Sequence, residues 1–345
     1  MTRKNFEIDG NVIVAGTWTK INISIAEFQA SLPMSLSLDI YHGKRPGPTL
    51  LITAAIHGDE LNGIEICRRL LCTEVSKMKG TLIVIPVVNT PGYLQGSRYL
   101  PDRRDLNRLF PGSSKGSLGG KIAKILTDKI LSRADLVLDL HTAAIHRSNL
   151  PQIRIDASVP EALRLARAFG APLILDSQLR DGSFRSTGDT MGTPVLVYEA
   201  GEALRLNDAA ITLGLRGIKR VMRALKMLPA NSRKVLQLSI ESKKSQWQRA
   251  TASGLVLNHV RLGQQVKKGE CLASINQPLD IKQSVEVNAN LSGIIIGLNR
   301  LATVYEGDAL FHIAQVGSTD EVDDMMEVIN EQFNLEPINN LPEDN

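Results

Sequence analysis

Apolar side chains run nearly unbroken at residues 50–56 (LLITAAI), 81–88 (TLIVIPVV), 134–140 (ADLVLDL) and 194–198 (PVLVY). Runs of this length, closed by polar residues, read as strands buried on both faces. Elsewhere the apolar positions recur every three or four residues, at 61–71, 121–131, 159–169 and 204–228, and predict helices. Alternation at 35–41 (Leu36, Leu38, Ile40) marks a half-buried strand, and 172–175 adds a short one. Residues 1–35 mix brief β-branched stretches with polar positions and suit edge strands or an extended arm. The GKRPGP segment at 43–48 is a turn. It is no phosphate loop, because Gly43-Lys44 is not followed by Ser or Thr. Strands separated by helices predict an α/β fold whose mixed, largely parallel sheet is flanked by helices.

Helical periodicity ends at Leu228-Pro229-Ala230. Beyond it come short β-type runs with glycine turns, in two similar stretches about forty residues apart. Ser253-Gly254-Leu255-Val256-Leu257 precedes Gly269-Glu270 and Leu272; Ser292-Gly293-Ile294-Ile295-Ile296 precedes Gly307-Asp308 and Leu310. Two β hairpin units sharing one small core are expected. The organisation predicted is thus a catalytic-type α/β domain at 1–229, a smaller all-β domain at 230–316, and an acidic tail at 317–345 with a helical pattern at 321–333.

Composition narrows the class. With 345 residues, 43% hydrophobic and 22% charged, the chain is that of a soluble globular protein. Net charge is +4, with Lys and Arg scattered among acids, which argues against nucleic acid as a partner. No apolar run approaches the roughly 20 residues of a membrane helix, and MTRKNFEIDG lacks the apolar core of a signal peptide. Three cysteines without a CxxC suit a reducing cytoplasm.

Three of the apolar runs end at residues capable of chemistry: His57, His141 and Glu199. Strand ends of an open α/β sheet share one crevice. His57 and Glu60, three residues apart between a strand and a helix, can share a metal with His141. Two imidazoles and a carboxylate suit zinc with one position left open. Asp139, two residues before His141, is a candidate partner for its ring. Glu199 suits a general base, or else a carboxylate stabilising the start of the following helix. His42, His259 and His312 lack acidic partners at ligand spacing and read as packing or surface residues; His146 competes weakly with His141. Residues 96–112 carry Arg98, Arg103, Arg104 and Arg108, suited to polarising a carbonyl or clamping a carboxylate, or to forming solvated ion pairs.

With these residues in view, the chain resembles the succinylglutamate desuccinylase/aspartoacylase family of the zinc carboxypeptidase superfamily. The resemblance rests on HGDE at 57–60, RYLPDRRDLNRLFPG at 98–112, DLHTA at 139–143 and YEAG at 198–201, in that order. It implies a zinc carboxypeptidase-like catalytic domain holding one Zn2+ per chain on His57, Glu60 and His141. Glu199 is then the base that activates water and protonates the leaving amine. Asn107 and Arg108 bind a substrate carboxylate, and Arg98, with Arg104 as the alternative, polarises the carbonyl. Arg185 is a candidate for a second acidic group on the substrate. The 230–316 region resembles lipoyl or biotinyl carrier domains. Lys282 stands near the carrier lysine, but without its DK or MKM context, so a covering role is expected. The activity implied is hydrolysis of the amide of a small N-acyl amino acid. The alternatives are a zinc carboxypeptidase acting on short peptides and a non-catalytic carrier or binding protein. The acyl group and any association between copies are left open.

Overall fold

The 50–56 run is continuous because the sheet is covered on both faces. In the computed structural model, which describes residues 3–316 apart from 28–30, 32, 74, 76 and 231–238, Leu50 and Ile52 enter one apolar core and Leu51 enters the core on the other side. The chain begins with a hairpin of β1 (Phe6–Ile8) and β2 (Asn11–Ile13). Two long antiparallel strands follow, β3 (Thr17–Glu27) and β4 (Pro33–His42), with Leu36, Leu38 and Ile40 inward as their alternation predicts. Next comes β5 (Arg45–Ala54), whose first residue already pairs with Lys79, so the turn expected over 43–48 shrinks to Gly43-Lys44.

The α/β part continues through α1 (Asn62–Leu71), β6 (Lys79–Ile85), α2 (Thr90–Leu94), α3 (Leu118–Ile125), β7 (Leu136–Ala143) and β8 (Arg147–Ile155). It ends with α4 (Pro160–Phe169), β9 (Leu173–Asp176), α5 (Phe184–Thr190), β10 (Val195–Glu202) and α6 (Asp208–Ala224). From the β3 edge the sheet order is β4, β6, β5, β7, β10, β8. Strands β6, β5, β7 and β10 run parallel to one another, while β4 and β8 pair antiparallel at either end of that block. Helices α1, α4 and α6 pack Ile66, Leu70, Leu165, Phe169, Ile211 and Val221 on one face; α3 packs Ile122 on the other. Helix α6 is shorter than the 204–228 periodicity suggests. Asn207 caps it by accepting from the Ala210 N–H at 2.9 Å, and Leu204 and Lys226, both at positive φ, lie outside it. The long region 89–120 is more ordered than its sequence suggests, since it holds α2 and a 3-10 turn at Leu106–Arg108. Among the described residues no helix is long and apolar enough to cross a membrane.

The C-terminal part is all β: β11 (Ile240–Ser242), β12 (Ser245–Arg249), β13 (Gly254–Asn258), β14 (Gln265–Val266), β15 (Cys271–Gln277), β16 (Asp280–Asn288), β17 (Gly293–Asn299), β18 (Thr303–Val304) and β19 (Ala309–Ala314). The repeated sequence is visible as two antiparallel pairs, β13 with β15 and β17 with β19, around a shared core that includes Leu272, Ile275, Ile295 and Phe311. Strand pairing also carries across the boundary at 229/230. β17 pairs with β8, and β11 with β9, so one sheet runs from β3 to β12 through both parts. The tail at 317–345, with its 321–333 helix pattern, and the Lys282 side chain lie outside the described residues.

Gly58 ties this frame to the chemistry. A Cβ there would stand 2.1 Å from the backbone of Gly92 and Tyr93, so only glycine lets α2 lie against the end of β5. Gly58→Ala is expected to lose about 1–3 kcal/mol, the scale of overpacking, in urea unfolding followed by tryptophan fluorescence. An unchanged midpoint would contradict the close packing of α2.

Candidate metal centre and active-site cleft

Beyond β5, Ala55 takes a left-handed φ of 50°, which turns the chain out of the strand before His57. The Glu60 N–H then donates to the His57 carbonyl at 3.2 Å, closing a turn that puts both side chains on one side. His141 lies inside β7 rather than just past its end, since that strand continues to Ala143. The Glu60 carboxylate, 1% exposed, lies between the two imidazoles. Its Oε1 is 2.8 Å from His57 Nδ1 and its Oε2 is 2.7 Å from His141 Nδ1, and the Thr142 N–H donates to Oε2 at 3.1 Å.

Each ring is fixed from behind. His57 Nε2 is 3.2 Å from Asp105 Oδ1, and His141 Nε2 is 2.8 Å from Asp139 Oδ2; the Thr53 hydroxyl donates to Asp139 Oδ1 at 2.7 Å. A carboxylate behind Nε2 keeps the proton there and leaves Nδ1 as the coordinating atom, an arrangement that orients metal-binding histidines. The ligand atoms of His57, Glu60 and His141 lie within 4.8 Å of one another and can hold a metal ion. The electrostatics fit a cation. Burial disfavours charge here, yet the two imidazoles hold Glu60 well below the usual carboxylate range. Burial would lower His141, but the Asp139 and Glu60 carboxylates outweigh it and raise it well above the ordinary value. Asp59 is buried beside Glu60, and its Oδ1 has no hydrogen-bond partner among the described residues. Arg98 spans the cluster, 3.3 Å from Glu60 and 2.9 Å from Asp105.

The centre opens into a cleft of about 1290 Å³ lined by both parts of the chain. Glu199 in β10 is the registered partner of His141 in the parallel neighbour β7, so the two side chains share a sheet face. Its Oε2 accepts from Asn149 Nδ2 at 2.9 Å, and Arg154 Nη1 lies 3.5 Å from Oε1. Asn107 and Arg108 line the cleft on the 3-10 turn; Asn107 Oδ1 accepts from the Phe184 N–H at 2.8 Å. Arg104 lies away from it, exposed and 3.6 Å from Asp102. Arg185 reaches the cleft, but its guanidinium donates to the Ser177 hydroxyl and to the carbonyls of Ser177 and Gln178. These bonds hold the 176–180 loop. The free guanidinium in that region is Arg180, which has no side-chain partner among the described residues and stands in the field of Arg108, Arg154 and Glu199. His312 belongs to the opposite wall, stacked on Trp247 at 4.8 Å between centroids with Arg147 over that indole. Burial, together with Arg154 and Arg180, pushes His312 down to about 3. Of these residues, Asp105, Asn149, Arg154, Arg180 and Trp247 carry no signal of their own in the sequence. Only Asp105 falls inside a recognised motif.

The catalytic-domain model of the succinylglutamate desuccinylase/aspartoacylase family matches residues 46–225. The chain is 28% identical over 332 residues to the N-alpha-acetyl-L-2,4-diaminobutyric acid deacetylase of Halomonas elongata, covering 90% of this chain and 94% of that protein. Its fold is similar to that of a succinylglutamate desuccinylase from Silicibacter sp. TM1040, with TM-score 0.80 at 22% identity over 92% and 98% of the two chains. It is similar also to the ectoine utilization protein EutE (DoeB) from Ruegeria pomeroyi, with TM-score 0.76 at 24% identity over 86% and 95%.

The carboxylates behind the rings make a direct prediction. Asp139→Asn or Asp105→Asn is expected to weaken divalent-metal binding about 10–100-fold in a chelator competition. Because the ion must displace the proton that Asp139 and Glu60 hold on His141, affinity for the parent should rise with pH through neutrality.

Proposed function

The chain belongs to the succinylglutamate desuccinylase/aspartoacylase family, and from that membership we propose that it is a zinc-dependent deacylase that hydrolyses the amide bond of an N-acyl amino acid. The observation that carries this reading is the convergence of His57, Glu60 and His141 on one point, with Glu199 in register beside His141. The Halomonas elongata relative is by name a deacetylase of an N-acetyl amino acid, which supports the reaction class.

A zinc ion at this site supplies Lewis acidity toward the scissile carbonyl and toward water. Glu199 takes the proton from the attacking water and returns it to the departing amine. Arg98, already within reach of Glu60, places N–H donors where the carbonyl oxygen gains charge. Arg108 forms a fork for the substrate carboxylate, and Asn107 sets its position through the Phe184 N–H. Arg180, without a side-chain partner among the described residues, adds positive potential to that side and favours a substrate rich in carboxylate. Trp247 and His312 close the cleft from the β region, in keeping with a covering role. Residence in the cytoplasm fits the three free cysteines.

The test is a panel of N-acetyl and N-succinyl amino acids with acidic, neutral and amino-bearing side chains, beside short peptides, with amine release as readout on zinc-loaded protein. Release from N-acyl amino acids is expected, and Glu199→Gln should cut turnover at least ~10²-fold. Peptide-only activity would make it a carboxypeptidase, and wild-type turnover in the Glu199 variant would remove that residue from the reaction.

A further inference from the structure

Strand β10 breaks register just beyond Glu199. Glu199 pairs with His141 and Gln152, and pairing with β8 resumes at Gly201 opposite Asn149, with Gly201 at φ 78°. The ladder sets the face on which Glu199 lies, and its side-chain contacts set where the carboxylate points. Among the described residues the Glu199 carboxylate accepts one hydrogen bond, from Asn149 Nδ2 at 2.9 Å. Arg154, 3.5 Å from the other oxygen, adds charge without hydrogen-bond geometry.

Asn149 is itself held by the C-terminal part. It is 7% exposed, on β8, with Gly201 of β10 as its partner on one side and Gly297 of β17 on the other. Gly297 is glycine for space. A Cβ there would stand 2.9 Å from the His312 Cβ, 3.2 Å from Asn149 Oδ1 and 3.4 Å from the Trp247 ring. The amide of Asn149 therefore has the base on its nitrogen side and the β17 backbone close on its oxygen side. A rotated amide would set oxygen against oxygen.

We infer that Asn149 is the positioning residue of the general base, and that the C-terminal β part takes part in the reaction by holding this amide against Glu199. The inference rests on the reading of Glu199 as base. The nitrogen can only donate, so it occupies Oε2. Oε1 is left to receive the proton of water.

The experiment is a double-mutant cycle on the zinc-loaded full chain, with kcat and KM measured separately alongside zinc affinity by chelator competition and a thermal melt. Asn149→Ala is expected to lower kcat roughly tenfold, the scale of one hydrogen bond to a charged group, with KM within about twofold. Asn149→Asp keeps the shape without the donor and should fall at least as far. Zinc affinity and melting should stay at the parent's values. In a Glu199→Ala background, Asn149→Ala should add no further loss, because its action passes through the missing carboxylate. Gly297→Ala, which touches no reacting group, should lower kcat in the same way and to a smaller extent. Additive losses in the cycle, parent-like kcat in Asn149→Asp, or a kcat loss in an Asn149 variant matched by lost zinc affinity or melting would overturn the inference. Parent-like turnover in Glu199→Ala alone would instead remove the base reading, and the inference with it.

Discussion

The Glu60 carboxylate, shut away from water between two imidazoles, is the constraint around which the rest is built. An isolated buried carboxylate is costly and would take up a proton instead. Here His57, His141 and Arg98 surround it, and those cations need anions behind them, which Asp105 and Asp139 supply. Removing one member leaves another charge without a partner in a poorly solvated place. That requirement explains why so much of the fold converges at one spot. The end of β5, the interior of β7, the 3-10 turn at Leu106–Arg108 and Thr53 each contribute a group that the next one needs.

The cluster also sets the electrostatic character of the cleft. At the centre the acids are paired with His57, His141 and Arg98, whereas Arg108, Arg154 and Arg180 lie farther out, where Glu199 is the acid beside them. The stacked Arg147, Trp247 and His312 give the opposite wall a rigid surface; the histidine there stays neutral at ordinary pH and does not alter the field.

The C-terminal β part is built into the main sheet, because β17 is hydrogen-bonded to β8, the strand that carries Asn149 and Arg154. A hinged lid would need a junction that opens at small cost. A continuous sheet has backbone pairs across the junction and resists such motion. Gln152 reinforces the join by donating to the Ile296 carbonyl at 3.2 Å. The sheet therefore ties the β wall of the cleft to the strand opposite Glu199.

The apolar runs at 50–56, 134–140 and 194–198 were legible because strands buried on both faces must be apolar throughout. His57, Glu60 and His141 stood out because polar residues that interrupt or close such runs need a reason. Helices α1, α4 and α6 were visible through amphipathic spacing, although the ends of α6 depended on the Asn207 cap and on residues at positive φ. Strand β8 was barely visible, since Arg147, Asn149 and Arg154 break its apolar pattern to face the cleft and Gln152 breaks it to bond the Ile296 carbonyl. The duplicated hairpins showed in sequence, but their fusion to the main sheet did not, because backbone pairing leaves little mark on side-chain type. The sequence alone thus determined the layers and the order of strands and helices, which follow from hydrophobic period, and it singled out the residues with ligand chemistry. Only the tertiary structure decided that Asp105 backs His57, that Arg98 and not Arg104 reaches the centre, and that Asn149 meets Glu199. Those contacts join residues far apart in the chain, and distance in space is what a linear pattern does not record.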